Sequence, residues 1–322
     1  MSVTAPMPPP DATADPGPAK AVKAPKGEAI GVRRGGWFVR ITILVVVAIW
    51  LVPSLGVLIT SFREGDAANT SGWWTVLGNP FSAEWTLDNY RTVLDAGGFQ
   101  HAFLNSLAVA VPATVIPVTI AAFAAYAFSW MDFRGRHVLF VLVVGLMVVP
   151  LQMALIPILR LFVGGATLWG IPVFPDVNLN GTFLGVWLAH TGFGLPLATY
   201  LLRNYIGSLP SSIIESAKID GADHFTIFWR LIVPLSVPAL AAFGIFQFLW
   251  VWNDLLVAYV FLGGTSDTRV VTIALANLVG SRGQDWHLLT SAAFITMSLP
   301  LVVFFSLQRY FIRGLTAGSV KG

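Results

Sequence analysis

The sequence contains no cysteine and few charged residues. Of its 322 residues none is cysteine, 11% are charged and 56% are hydrophobic. The absence of cysteine excludes disulfide bonds and thiolate metal sites. Soluble domains have about 25% charged residues, so this balance indicates an integral membrane protein.

Two kinds of chemical motif are also missing. No G-x-x-x-x-G-K-[ST] segment occurs, so ATP would have to be bound by another subunit. The net charge of +3 is small and is better explained as membrane orientation charge than as a nucleic-acid surface. No metal site is expected, because no two histidines have metal-ligand spacing among His101, His137, His190, His224 and His287.

Long apolar runs predict an all-α membrane protein with six transmembrane helices. Each run approaches or exceeds the ~20 residues that a bilayer requires. The predicted spans are at about 38–62, 103–129, 138–162, 182–203, 238–262 and 288–310. Residues 1–36, rich in Pro, Ala and Lys, are predicted to be a disordered tail before a transmembrane domain at 37–322. The first run has no small-residue cleavage site after it and is expected to be retained.

The distribution of lysine and arginine predicts the orientation. These residues are concentrated in the N-terminal tail, in the second and fourth loops and at the C-terminus. Cytoplasmic segments carry the excess of positive charge, so both termini are predicted to be cytoplasmic.

The most polar stretch of the second half, Leu209–Leu240, predicts two short helices joined by a glycine turn. Pro210 can open the first helix, and Ser212 and Glu215 have the spacing of a capping box. Gly221 can end that helix in a left-handed conformation.

The second short helix has its own start and stop signals. Asp223 can cap it, and Pro234 and Pro238 are predicted to end it and to begin the next span.

An apolar knob is predicted on the first of these helices. Ile213, Ile214 and Ala217 share one face at helical spacing. Two interpretations remain open: the knob enters a groove on another protein, or it rests on lipid headgroups.

The same stretch resembles the EAA loop of ABC-importer permeases. The matching pattern is Glu215-Ser216-Ala217, three residues, Gly221, nine residues, Leu231, one residue and Val233-Pro234, with departures at Ser216, Leu231 and Val233. The Ile219-Asp220-Gly221-Ala222 core and the C-terminal segment 308–322 resemble the maltose-type and α-glucoside permeases, which have a MetI-like fold. The resemblance covers residues 38–322.

This resemblance implies the permease subunit of an ATP-driven, binding-protein-dependent sugar importer in the bacterial inner membrane. Such a subunit is not an enzyme and holds no cofactor. It forms half of the pore with a homologous permease, contacts lipid and no nucleic acid, and works by alternating access. Two ATP-binding subunits bind ATP and Mg, and an extracytoplasmic sugar-binding protein delivers the cargo.

The resemblance also implies residue roles. The loop at 204–237 would couple to the ATP-binding subunits through Ile213, Ile214, Glu215, Ser216, Ala217, Asp220, Gly221, Ala222 and Pro234. Residues 263–287 would contact the binding protein, with Thr272, Asn277, Gly280, Gly283 and Trp286 as candidates.

A polar and aromatic cluster in the fifth span permits two interpretations. One is a sugar path formed by Trp250, Trp252, Asn253, Asp254 and Tyr259. The other, which we favour, is an interhelical hydrogen bond of Asp254 that fixes the packing of the fifth span. His190 is predicted to be packed and hydrogen-bonded. Gln152 and Gln247 permit two interpretations: they line a path, or they bond between helices, which we favour.

Other functions remain as alternatives. An ion-coupled secondary transporter would require inverted repeats and buried carboxylate pairs, and an intramembrane enzyme would require a catalytic constellation. Neither pattern is visible in the sequence. Within ABC importers another small polar solute remains open, and a neutral polyol fits best because the inner spans have almost no cationic residues.

Overall fold

The computed structural model describes residues 36–81, 83–95, 98–278 and 285–317, with side chains up to residue 309. The predictions for most of the N-terminal tail and for Gly280 and Gly283 lie outside these residues. The chain divides into two units, residues 1–51 and 52–322.

The described residues are mostly helical. The first helices are α1 (Trp37–Ser61), α2 (Gly65–Thr70), α3 (Thr75–Gly78), α4 (Asp88–Asp95), α5 (Phe99–Ala110), α6 (Pro112–Trp130), α7 (Arg136–Gly145) and α8 (Leu151–Gly164). An antiparallel hairpin of β1 (Ala166–Leu168) and β2 (Ile171–Phe174) follows. The remaining helices are α9 (Phe183–Ile206), α10 (Ser211–Ile219), α11 (His224–Ile227), α12 (Val233–Trp252), α13 (Leu256–Leu262), α14 (Val271–Leu278) and α15 (Trp286–Ala317).

Within the described ranges, four helical segments are long and apolar enough to cross a membrane. They are Trp37–Ser61, Phe99–Trp130, His224–Trp252 and Trp286–Arg309. A bent pair of helices, Arg136–Val148 and Leu151–Gly164, makes a fifth candidate if it counts as one span. The structure therefore confirms a helical membrane protein with four to five such spans.

The third predicted span, 138–162, is not one helix. Its two halves meet at an angle of 107°. The break falls at Pro150, which has extended backbone (φ −62°, ψ 128°) and starts α8. Proline cannot donate to the preceding turn and forces the residue before it out of helical geometry. The structure therefore has a sharp elbow at Pro150.

The fifth predicted span, 238–262, begins earlier and ends earlier than expected. Helix runs without a break from His224 to Trp252, through a π-helical segment at Phe228–Ile232. The prediction that Pro234 and Pro238 separate loop from span is wrong, because Pro234 stands in the first turn of α12 and Pro238 lies within that helix. Membrane helices tolerate proline where local π-helical adjustments re-satisfy the freed backbone groups, and the π-helical segment Phe228–Ile232 directly precedes Pro234.

Two buried apolar clusters hold the second unit together. One joins α5, α8, α9 and α12 to α15. The other joins α6, α9 and α12 to the short helices α10 and α11. Helix α9 contributes to both clusters, so the segment 207–232 is built onto the same core as the membrane-spanning helices.

The segment after α1 is folded. Arg63, which follows α1, is only 4% exposed. Its guanidinium donates to the carbonyl oxygens of Ser71 at 2.8 Å and Ala67 at 2.7 Å. Arg63 therefore organises this segment from inside and is not a free surface charge.

Candidate coupling and transport site

Helix α10 starts without the predicted capping box. Its N-cap is Pro210, which has no side-chain donor or acceptor, and the Ile213 N–H already bonds to the Pro210 carbonyl at 3.2 Å. Ser212 consequently lies inside the helix and not at its N-cap, so it cannot form a capping box with Glu215. The capping-box prediction is wrong because the helix begins two residues earlier, with Pro210 and not Ser212 at its N-cap.

The end of α10 is a Schellman motif centred on Gly221. The Ala222 N–H bonds to the Ala217 carbonyl at 2.9 Å, and the Gly221 N–H bonds to the Lys218 carbonyl at 3.1 Å. Gly221 has φ +80°, in the left-handed region that glycine adopts most easily. A Cβ at this position would meet nothing within 4 Å.

Asp223 caps α11, as predicted. Its Oδ1 accepts from the Thr226 N–H at 2.8 Å. The hydrogen bonds from Thr226 lower the pKa of the Asp223 carboxyl below its usual value of 3.8. The turn is thus closed on one side by Gly221 and on the other by this cap.

The predicted apolar knob is divided between core and surface. Ile214 is 2% exposed and packs in the cluster shared with α6 and α9. Ile213 is 37% exposed, and the larger exposed apolar side chains are Ile219 at 86% and Phe225 at 68%. Helix α10 therefore uses Ile214 to hold itself on the core and presents Ile219 and its neighbours to the surroundings.

The remaining predicted coupling residues are mostly at the surface. Glu215, Ser216, Asp220 and Gly221 are exposed, Ala217 and Ala222 are half-buried against the core, and Pro234 is exposed on α12.

A long-range contact ties α11 to α6. The Tyr126 hydroxyl and the His224 Nδ1 are 2.8 Å apart, and the Phe123 and Phe228 rings stack with centroids 4.4 Å apart. Tyr126 is 4% exposed. No sequence pattern predicts this contact, because 98 residues separate its partners and neither residue has a local signal.

Asp254 lies in the break between α12 and α13. Its carboxylate accepts from the backbone N–H groups of Ala258 at 2.9 Å and Val257 at 3.4 Å, which caps α13. Its backbone carbonyl accepts from the Thr272 hydroxyl at 2.7 Å, so this break contacts α14 directly.

His190 is fully buried beside this break. Its Nε2 is 3.7 Å from the Asp254 Oδ2, beyond hydrogen-bond distance. Among the described residues neither ring nitrogen has a hydrogen-bond partner. The prediction that His190 is packed is confirmed, and the prediction that it is hydrogen-bonded is wrong.

The other candidate sugar-path residues do not converge. Trp252 is 2% exposed and donates to the Thr296 carbonyl at 3.1 Å, and Asn253 donates to the Leu249 carbonyl at 2.7 Å. Tyr259 is exposed on α13. Of these candidates, only Trp250 borders a cavity between α8, α9 and α12.

That cavity has a volume of about 560 Å³. It lies between the elbow of the bent helix pair, α9 and α12, and no charged side chain lines it. Volumes of about 300–1,000 Å³ are typical of small-molecule sites.

The candidate binding-protein loop contributes α14. Asn277 on this helix and Trp286 at the start of α15 are exposed, and Thr272 is half-buried through its bond to Asp254. In the described part of the chain no group of three or more His, Asp or Glu side chains could hold a metal ion.

Comparison with known sequences places the chain in a family. The profile of the family described as "Binding-protein-dependent transport system inner membrane component" matches residues 117–317. The chain belongs to this family of ABC-importer permeases and is a membrane-embedded transport component.

Two relatives are similar over most of their length. The chain is 61% identical to the osmoprotective compounds uptake permease protein GgtD of Synechocystis sp., over 88% of this chain and 91% of that protein. It is 44% identical to the alpha-glucoside transport system permease protein AglG of Rhizobium meliloti, over 89% of this chain and 97% of that protein. A chain in the crystal structure of a bacterial ABC transporter involved in the import of the acidic polysaccharide alginate has the same fold. Its TM-score is 0.67 at 21% identity, over 85% of this chain and 95% of that chain.

Proposed function

We propose that this chain is one of two permease subunits of an importer for a neutral sugar or a related polyol. The cargo class is supported by an uncharged cavity of about 560 Å³, which Trp250 borders. An ionic cargo would lose its hydration there without a compensating charge, which costs several kcal/mol. The similarity to an alpha-glucoside permease supports maltose, trehalose or another α-glucoside as cargo.

The observation that carries the mechanism is the construction of the segment 204–237. Its turn projects Ile219 and Phe225, while Ile214 and Phe228 beneath it are buried in the core. We propose that this surface binds an ATP-binding subunit, which holds ATP and Mg. Because the buried side chains join the turn to α6 and α9, movement of that subunit displaces the spans.

The complete topology that we propose has six spans. It adds α9, whose 24 residues extend about 36 Å, and counts the bent pair as one span. With an even number of spans and the lysine and arginine distribution of the sequence, both termini face the cytoplasm.

The proposed cycle is alternating access. The extracytoplasmic binding protein docks on the loop that contains α14, and the Thr272–Asp254 bond connects that loop to the break between α12 and α13. ATP binding closes the two ATP-binding subunits, the spans open outward and accept the cargo, and hydrolysis resets the pore. The homologous permease supplies the other half of the pore.

A second cargo class has its own support. The similarity to an osmoprotective-compound permease favours an osmoprotective solute. The uncharged cavity favours a neutral one, such as a polyol or a glycoside. An ion-coupled secondary transporter has less support, because the Asp254 carboxylate is used as a helix cap.

The test is co-purification followed by reconstitution. An affinity tag on this chain should retain a second permease and ATP-binding subunits. In proteoliposomes with the binding protein, the complex should accumulate labelled maltose or trehalose only when ATP is enclosed. Uptake that follows an imposed ion gradient without ATP would contradict the proposal.

A further inference from the structure

A buried amide in the transmembrane region has a free acceptor. Gln247 on α12 is 1% exposed. Its Nε2 donates to the Ala113 carbonyl at the start of α6 at 3.2 Å. This bond joins two helices, as predicted. Its Oε1 has no hydrogen-bond partner among the described residues. A buried acceptor without a partner costs about 1–3 kcal/mol, so nearly all such groups in proteins are satisfied.

The cavity that Trp250 borders lies beside this side chain. Gln247 is one of its lining residues, together with Trp250, Phe193 and Phe246. A Cβ at residue 194 would lie 2.7 Å from the Gln247 amide, so Gly194 leaves room for that side chain. A Cβ at Gly192, which also lines the cavity, would meet nothing within 4 Å.

These groups match one kind of ligand. Aromatic rings cover the apolar face of a pyranose, and an amide oxygen accepts from a hydroxyl. A lipid acyl chain in the same space would leave the Gln247 Oε1 without a partner. A charged solute would find no counter-charge in the lining.

We infer that the cavity is a subsite for a neutral glycoside or polyol, in which the Gln247 Oε1 accepts a hydrogen bond from one of its hydroxyl groups. This inference rests on the proposed importer function and deepens it. It assigns a direct solute contact to this permease, and it places that contact at Gln247 and not at Asp254.

The test combines one variant with altered sugars. Reconstituted complex transports trehalose and its single deoxyfluoro analogues from binding protein that is preloaded to saturation, so that the affinity of the binding protein does not enter. Fluorine replaces a hydroxyl in size but cannot donate. One analogue should be transported about three- to tenfold more slowly than trehalose by the wild type, the range expected for one hydrogen bond.

The variant should remove that discrimination. Gln247→Met should slow trehalose transport by a similar factor and should transport trehalose and the sensitive analogue at equal rates, because both changes remove the same bond. A purely structural role of Gln247 would slow all the sugars equally and would preserve the discrimination. That outcome overturns the inference.

Two further variants separate the subsite from folding and from the proposed function. Gly192→Leu should fill part of the cavity without a clash of its Cβ and should reduce transport with assembly unchanged. Gln152→Met, an exposed amide on α8 that does not line the cavity, is the matched control and should behave as wild type. If wild type transports neither trehalose nor maltose, the proposed cargo class fails and the subsite fails with it. If wild type transports them and both Gln247→Met and Gly192→Leu are unchanged, the subsite alone is refuted.

Discussion

Replacement of Gly221 by leucine tests the coupling surface with little disturbance of the fold. At φ +80° a residue with a Cβ costs about 1–2 kcal/mol. The new Cβ meets nothing within 4 Å inside the chain, so no steric cost is added. Both Schellman hydrogen bonds use backbone groups and can persist. Against a typical stability of about 5–15 kcal/mol, Gly221→Leu should fold and insert.

The expected defect lies in communication with the ATP-binding subunits. A leucine at the tip of the turn enlarges the surface that is proposed to contact the partner and strains its backbone. In nanodiscs, binding protein and sugar should stimulate ATP hydrolysis by the wild-type complex and should no longer stimulate the Gly221→Leu complex. Fewer ATP-binding subunits should co-purify with the variant.

The control has the same backbone strain elsewhere. Gly98 also has φ +80°, and a Cβ there also meets nothing within 4 Å. It precedes α5, far along the chain from the proposed coupling surface. Gly98→Leu should keep the stimulation. Equal stimulation in wild type and Gly221→Leu, at matched assembly, would refute the assignment of this turn as the coupling element.

Three smaller changes test its supports. Tyr126→Phe removes only the hydroxyl that contacts His224 and should reduce stimulated ATP hydrolysis several-fold with basal hydrolysis unchanged. His224→Asn has an Oδ1 that can accept near the position of Nδ1, so it should retain more stimulation than His224→Ala. Equal loss of stimulation in both His224 variants would argue against the bond. Asp254→Asn keeps a side-chain acceptor for the cap and should lower uptake less than about threefold with unchanged sugar preference; a changed preference would assign Asp254 to the sugar path. Asp223 has a lowered pKa, so its cap stabilises the fold above the usual value of 3.8 and loses that contribution as the pH falls towards the folded pKa. The thermal midpoint of wild type should therefore fall more steeply on acidification than that of Asp223→Asn, and parallel curves would contradict this.

Signals that act within a few residues predicted the local structure well. The apolar runs at 38–62, 103–129, 182–203 and 288–310 correspond to helices within a few residues at most ends. Gly221 has the left-handed conformation because a Schellman end requires one. Asp223 caps α11 because its carboxylate reaches the free N–H of Thr226 without help from tertiary packing.

Proline was the least reliable signal. Pro150, Pro234 and Pro238 look alike as local breakers, yet the chain bends by 107° at Pro150 and remains helical through the other two. The difference depends on what packs around each residue and on whether a local π-helical adjustment re-satisfies the backbone group that the proline frees. Neither property is visible in a window of sequence.

Burial of single side chains was also beyond local inference. Ile213 and Ile214 are adjacent and equally apolar, and helical spacing puts both near one face. In the structure Ile213 is 37% exposed and Ile214 is 2% exposed. The difference arises because only Ile214 reaches the cluster with Leu202 and Ile206 of α9. A pattern shows which residues can share a face, and only tertiary packing decides which of them is covered.

The burial of Ile214 bears on how the proposed coupling could work. A loop attached to the spans only by its backbone would absorb a displacement by bending at its ends. Here side chains on both sides of the Gly221 turn, Ile214 on α10 and Ile227 on α11, are inserted into a core that includes α6 and α9. Closely packed interiors have low compressibility and transmit strain. A push on the exposed tip must therefore either shift these helices or open the cluster, and the cost of opening it makes the shift the easier response.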